Sequence, residues 1–211
     1  MWRKKKKGRR IPGWIAGVWA SATLAVGATA GTLSTDAAVA ATSPKLITIC
    51  HGYGCSFRTK LVLGAADGQR LRSIMSAGAG SPKAERAALA RAVSYFDRRA
   101  NEATGYRDRP KTEFGQPERG QMDCVDESTN TRALLLYLAG RGLLKFHKVG
   151  RNVSRGFFLD GRYPHWTAVI SDPSDVKWVV DPWYARVGGA PDIFPYEQWK
   201  VRGQFESGEL D

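Results

Sequence analysis

Three side chains of this 211-residue chain have the types and the order of a nucleophile, a base and an orienting carboxylate. They are Cys124 in GQMDCVDES, His165 in YPHWTAV and Asp181 in WVVDPWY, with intervals of 41 and 16 residues. A thiolate can attack an amide carbonyl. An imidazole can carry the proton from thiol to leaving amine, and a carboxylate can hold the imidazole in the required tautomer. His147, flanked by Lys145 and Lys148, and His51 are rival bases. Asp160, Asp172 and Asp175 are rival carboxylates, all in turn-like sequence where Asp needs no special role. Gln116 and Gln121, upstream of the thiol, are candidate oxyanion donors. Trp166, Trp183 and Tyr184 either wall a substrate groove or fill the core. Asp123, Asp126 and Glu127 crowd the thiol. They read as ordinary dipole partners of a helix start, or as oxygen ligands for Ca²⁺, although their spacing lacks the regular loop of a Ca²⁺ motif.

These residues need elements to place them. Leu46 to Ile49 and Thr59 to Leu63 are short strand-like runs, and Gly68 to Ala77 is a short helix ended by Gly78-Ala79-Gly80. Ser81-Pro82 opens a longer helix to about Asn101, with Ser81 as N-cap. Its buried stripe is Ala84, Ala88, Leu89, Ala92, Val93 and Phe96, with Lys83, Glu85, Arg91 and Arg98 off it. Thr104 to Gly120 reads as a loop. A second helix begins near Cys124, is strongly apolar at Leu134, Leu135, Leu136 and Leu138, and stops at Gly140-Arg141-Gly142. At its start the unpaired N–H groups favour an anion, which predicts a lowered thiol pKa. Strands follow at Leu143–Val149, Gly156–Leu159, His165–Ser171 and Lys177–Val180, with Asp160-Gly161 and residues 172–175 as turn material. If the last two strands pair, His165 and Asp181 become neighbours across the hairpin. Ile193 to Trp199 reads as a short helix or turn, and Ser207 to Asp211 as a frayed end. Helices first and an antiparallel meander after them make an α+β domain.

Residues 1–40 read as an address. MWRKKKKGRR precedes an uncharged stretch from Ile11 to Thr35, and Ala38-Val39-Ala40 supplies a small-x-small site. That describes a secretory signal or, uncleaved, an N-terminal membrane anchor; either sends residues 41–211 out of the cytoplasm. The formal charge of +12 falls to +6 without this segment, because residues 41–211 keep 25 of the 32 Lys/Arg and 19 of the 20 acids. The charge therefore names no nucleic-acid partner. Outside the cytoplasm three cysteines are informative. Cys50 and Cys55 in ICHGYGC can form a disulfide, a metal site with His51, or two unpaired buried thiols. Pairing leaves Cys124 as the free thiol.

A Cys at a helix start, a His heading a strand and an Asp-Pro closing the next strand resemble the transglutaminase-like superfamily, with its papain-like arrangement. The exported setting and DCVDES are similar to bacterial transglutaminase-like cysteine peptidases. The resemblance covers roughly residues 110–185. It implies a central helix bearing the nucleophile packed on an antiparallel sheet, with Cys124 as nucleophile, His165 as general base and then acid, and Asp181 as the orienting residue. It implies a peptidase, amidase or transamidase acting through a Cys-linked thioester on protein or peptide in the cell envelope, periplasmic, extracellular or anchored to the inner membrane. No cofactor is required for that chemistry. Some relatives bind calcium, which makes Asp123, Asp126 and Glu127 worth following. The alternative is a non-enzymatic envelope domain that keeps the fold as a binding or scaffold module.

Overall fold

In the computed structural model the described residues are 43–112, 115–156 and 164–202. The expected signal or anchor over residues 1–40, the end of the expected 156–159 strand, Asp160 and the 207–211 tail lie outside them. The chain orders β1 (Lys45–His51), β2 (Phe57–Leu63), α1 (Ala65–Ser76), α2 (Pro82–Thr104), α3 (Cys124–Gly140), β3 (Lys148–Val149), β4 (Val153–Arg155), β5 (His165–Ser171), β6 (Lys177–Val180) and α4 (Tyr196–Val201). This is an α+β architecture with antiparallel sheets.

Local chemistry explains the helix ends. Ser81 accepts the Ala84 N–H, Pro82 fills the first turn of α2, and Gly105 ends it in the left-handed region at φ 76°. Asp123 caps α3 by accepting the Asp126 N–H, and Asp126 returns the bond to the Asp123 N–H, a reciprocal box that fixes Cys124 as the first helical residue. α3 stops after Gly140, as the Gly-Arg-Gly signal predicts.

β1 and β2 form one antiparallel pair, with Ile47 opposite Leu61 and Ile49 opposite Thr59. β5 is the spine of the second sheet. β6 pairs one edge through Ala168↔Val180 and Ile170↔Trp178. β3 and β4 follow each other along the other edge, at Val149↔Ile170 and Arg155↔His165. α3 packs against both β1 and β5, and Leu134, Leu135 and Leu138 are buried completely there.

Two expectations fail together. Leu143 to Val149 is not one strand; only Lys148–Val149 pairs. The reason is Glu85, which the helical pattern placed off the buried stripe but which is 1% exposed. Its carboxylate accepts the backbone N–H groups of Lys145, Phe146 and His147 and pairs with His147 Nδ1 at 2.8 Å. A side chain has taken the place of a strand partner. His147 is thereby committed between Glu85 and Arg86, whose Nη1 lies 3.2 Å from Nε2, and is not the base of a site at Cys124.

No helix among the described residues is long and apolar enough to cross a membrane. Cys50 and Cys55 form a disulfide, a bond that persists in oxidising compartments.

Candidate functional site

Cys124 is the first residue of α3 and is 5% exposed. Its Sγ lies 3.9 Å from the Pro164 carbonyl oxygen, and the Trp166 N–H is directed at it. The thiol therefore rests against the backbone on both sides of His165. His165 opens β5, and Asp181 follows β6. The register makes Thr167 the residue across from Asp181, so His165 is its diagonal neighbour on the same face. His165 Nε2 and Asp181 Oδ2 are 2.7 Å apart, both buried. The Asp181 backbone is pinned by reciprocal hydrogen bonds with Asp192.

Burial alone would raise the Asp181 pKa. His165 beside it, the Trp199 N–H and the charge of Arg155 outweigh it and hold the carboxyl below its ordinary value. An ionised Asp181 accepts, so the proton of the imidazole belongs on Nε2. The other ring nitrogen, Nδ1, is buried with no hydrogen-bond partner among the described residues. It makes no hydrogen bond to the Cys124 thiol, whose contacts are with the backbone of the residues on either side of His165.

The thiol itself departs from expectation. Burial pushes Cys124 up to about 12, and the carboxylates of Asp123, Asp181 and Glu127 push the same way against the Trp166 N–H. The helix start was expected to lower it. Desolvation of an anion outweighs the N-terminal dipole here, and of the first-turn amides that of Asp126 already has Asp123 as its acceptor.

The acids around Cys124 also separate. Asp126 accepts the N–H groups of Tyr53 at 2.8 Å and Cys55 at 2.5 Å, and Asp123 accepts that of Gly54 at 2.9 Å. Gly52, Tyr53, Gly54 and Cys55 all have positive φ. Consecutive left-handed residues turn their N–H groups inward as a nest for anions, and two carboxylates offset the cost of forcing Tyr53 and Cys55 there. The disulfide closes the same loop. Replacing Cys50 and Cys55 together by Ala should lower stability by about 2 kcal/mol, the loop-closure value for so short a ring. Urea unfolding measures it, and an unchanged midpoint would show that the two carboxylates suffice.

Glu127 faces away from this loop, toward Asp108 and Asp97, with which it lines a small enclosed space beside Pro182. Asp123, Asp126 and Glu127 are thus not a group whose oxygens gather at one point; among the described residues Asp126 gathers only with the two disulfide sulfurs, which are bonded to each other. The metal reading of Cys50, His51 and Cys55 fails for the same reason. His51 is also occupied at both nitrogens, by Thr59 Oγ1 and the Gly120 N–H.

Of the other candidates, Gln121 is committed. Its Nε2 donates to the Arg107 carbonyl and its Oε1 accepts the Arg109 N–H, so its side chain clamps the 107–109 loop and is not a free oxyanion donor. Gln116 is exposed. Trp183 is buried, packed 4.6 Å from the His165 ring and bonded through Nε1 to the Thr112 carbonyl. It is a wall behind the imidazole, not a face open to substrate. Tyr184 is half-buried with its hydroxyl on Arg155, while Trp166 is 40% exposed and remains available. Asp172 caps its own turn and receives the Trp178 N–H; Asp175 is exposed.

Two site residues have no sequence signal. Trp199, in α4, donates to Asp181, and Arg155, in β4, lies with its guanidinium over the Trp199 indole. In the sequence Trp199 is only one of many aromatics that follow His165. Comparison with protein-family models, curated proteins and solved structures finds no match to this chain.

Proposed function

We propose that the chain is an exported thiol enzyme of transglutaminase-like, papain-like design that cleaves or transfers amide bonds of protein or peptide in the cell envelope. The observation that carries this is the buried His165–Asp181 pair, with His165 Nδ1 unpartnered among the described residues and the Cys124 thiol resting on the backbone that flanks His165. Because the resting thiol is neutral, the reading assigns His165 as a general base and not as half of a preformed ion pair. Cys124 Sγ bonds to the substrate carbonyl carbon as its proton passes to Nδ1. The carbonyl electron pair moves to oxygen, where the Cys124 N–H, at a helix position that has no intrahelical acceptor, can stabilise it. The C–N bond then breaks, and the amine leaves with the proton from Nδ1. Water, or a second amine, attacks the thioester while His165 takes its proton; the C–S bond then breaks, the acid or new amide leaves, and Cys124 Sγ takes the proton back from His165.

A fluorogenic protein substrate and a glutamine-containing peptide, each with and without an amine acceptor, test the reading on the full chain. Turnover that falls at least about a thousandfold in Cys124→Ala, with a mass-detectable acyl adduct at Cys124, is the expected result. The burial of the thiol favours a second reading, the non-enzymatic scaffold. That reading gains if wild type and Cys124→Ala are equally inert on every substrate and equally stable.

A further inference from the structure

We infer that Trp199 and Arg155 are positioning residues that hold Asp181, and through it fix the tautomer of His165. The inference rests on the reading of His165 as the base. The geometry is specific. Trp199 Nε1 donates to Asp181 Oδ2 at 2.9 Å, the same oxygen that faces His165 Nε2 at 2.7 Å. Among the described residues Asp181 Oδ1 has only the Trp183 N–H, at 3.4 Å. The two close contacts are therefore on one oxygen, and one of them comes from outside the Cys–His–Asp set.

Trp199 does not hold itself there. It is fully buried in a six-residue helix whose N-cap makes no side-chain hydrogen bond. Arg155 supplies the anchor. Its Nη1 donates to the carbonyls of Trp199 at 2.6 Å and Arg202 at 2.9 Å, at the C-terminal end of α4, where a cation satisfies unpaired carbonyls. Its guanidinium lies 4.6 Å over the indole, and Nη2 donates to the Tyr184 hydroxyl. Arg155 is 7% exposed, and among the described residues its hydrogen bonds go to carbonyls and a hydroxyl, none to a carboxylate. A buried guanidinium so placed is costly unless its charge acts on a nearby anion, and Asp181 is that anion. The sequence makes the placement direct, because Arg155 is the cross-strand partner of His165 in β4–β5.

The consequence for His165 is a choice between nitrogens. With Asp181 held as an ionised acceptor, the proton stays on Nε2 and Nδ1 is left free to accept one. Without the indole N–H the carboxylate is free to turn, and the second tautomer becomes populated. A proton on Nδ1 blocks the transfer from Cys124.

The test is ¹⁵N NMR of the histidine-labelled full chain, in wild type, Trp199→Phe, and a variant with benzothienylalanine at position 199, which keeps the indole shape but cannot donate. Wild type is expected to show Nε2 protonated and Nδ1 bare. Both substitutions should bring in the Nδ1-protonated form and lower kcat at least about tenfold with KM little changed, since a wrong tautomer cannot accept the thiol proton. Arg155→Lys should fall between. If Trp199→Phe does not fold, the benzothienyl variant decides. An unchanged tautomer and pH profile, with only a lower melting temperature, would overturn the positioning role. The readout separates the two readings. A tautomer that shifts in a protein without turnover keeps this inference and removes the enzyme; turnover with an unshifted tautomer does the reverse.

Discussion

Glu85→Ala should destabilise the protein by about 3–5 kcal/mol, since a buried donor left without its acceptor costs about 1–3 kcal/mol and several lose theirs together. Three backbone N–H groups, of Lys145, Phe146 and His147, lose their acceptor at once, and His147 Nδ1 loses its own. The His147 side chain has no solvent to turn to. Glu85 also sits in the first turn of α2, where a negative charge suits the helix dipole. At about 2–4 °C per kcal/mol for a chain of this size, the melting temperature should drop by about 6–20 °C. Glu85→Gln keeps one acceptor oxygen and should lose roughly half as much. Thermal and urea unfolding of the three proteins measure this. A loss below about 1 kcal/mol for Glu85→Ala would mean that the 145–147 segment satisfies itself in other ways.

Between pH 4 and pH 8 the protein should become less stable as pH rises, and Asp108→Asn should remove part of that slope. Burial lifts Asp108 to about 7, with Asp97 adding to it. Burial also lifts Glu127 well above its ordinary value, with the charges of Asp108 and Asp97 behind it, and raises Asp97. Glu127 Oε2 has no donor among the described residues, and a proton held by Glu127 and given to Asp108 satisfies both. A carboxyl whose folded pKa exceeds its unfolded one contributes stability below about pH 4 that is lost as pH rises through about 7. Asp67 and Asp181, held below their ordinary values, work in the opposite sense, but their change is complete near pH 4 and does not enter the window. At about 1.4 kcal/mol per unit, Asp108 alone accounts for as much as about 4 kcal/mol. The amide introduced by Asp108→Asn would keep an acceptor for the Met122 N–H, now bonded to Asp108 Oδ1 at 2.7 Å, without a charge to bury. Urea midpoints at pH 5 and pH 8 decide the matter. Equal midpoints in wild type would show the acids to be solvated, contrary to their burial.

Both expectations turn on buried acids, and buried acids are what periodicity misreads. The strands 46–49 and 59–63, the Ser81 cap, the start of α3 at Cys124 and the 165–180 hairpin were legible to within a residue or two, because each rests on local rules: alternation, a capping oxygen, a Gly-Arg-Gly stop. The Cys50–Cys55 pairing was legible from the short Gly-containing run between the two cysteines. Glu85 was not, since a charged residue in an amphipathic helix is assigned outward and its partners lie 60 residues away. The same remote bond spoiled the 143–149 strand. Arg155 and Trp199 were invisible as site residues because a guanidinium in a strand and a tryptophan in a tail each suit many places. The direction of the Cys124 pKa was missed for a different reason: a helix start can be read from sequence, but the depth of burial that overrides it cannot.

The placement of α3 has a bearing on how the chain comes apart. Its buried side chains meet β1 from the start of the domain and β5 from much later in the sequence. Neither strand pair can shelter Leu134, Leu135 and Leu138 without the other. Partial opening at either end therefore strips the helix that carries Cys124, and loss of the site coincides with loss of the fold. In amide-exchange experiments the α3 backbone should open only through the global unfolding event, with strand and helix protected as one cooperative unit. A chain held unfolded would then carry a thiol with none of the neighbours that distinguish it from any other.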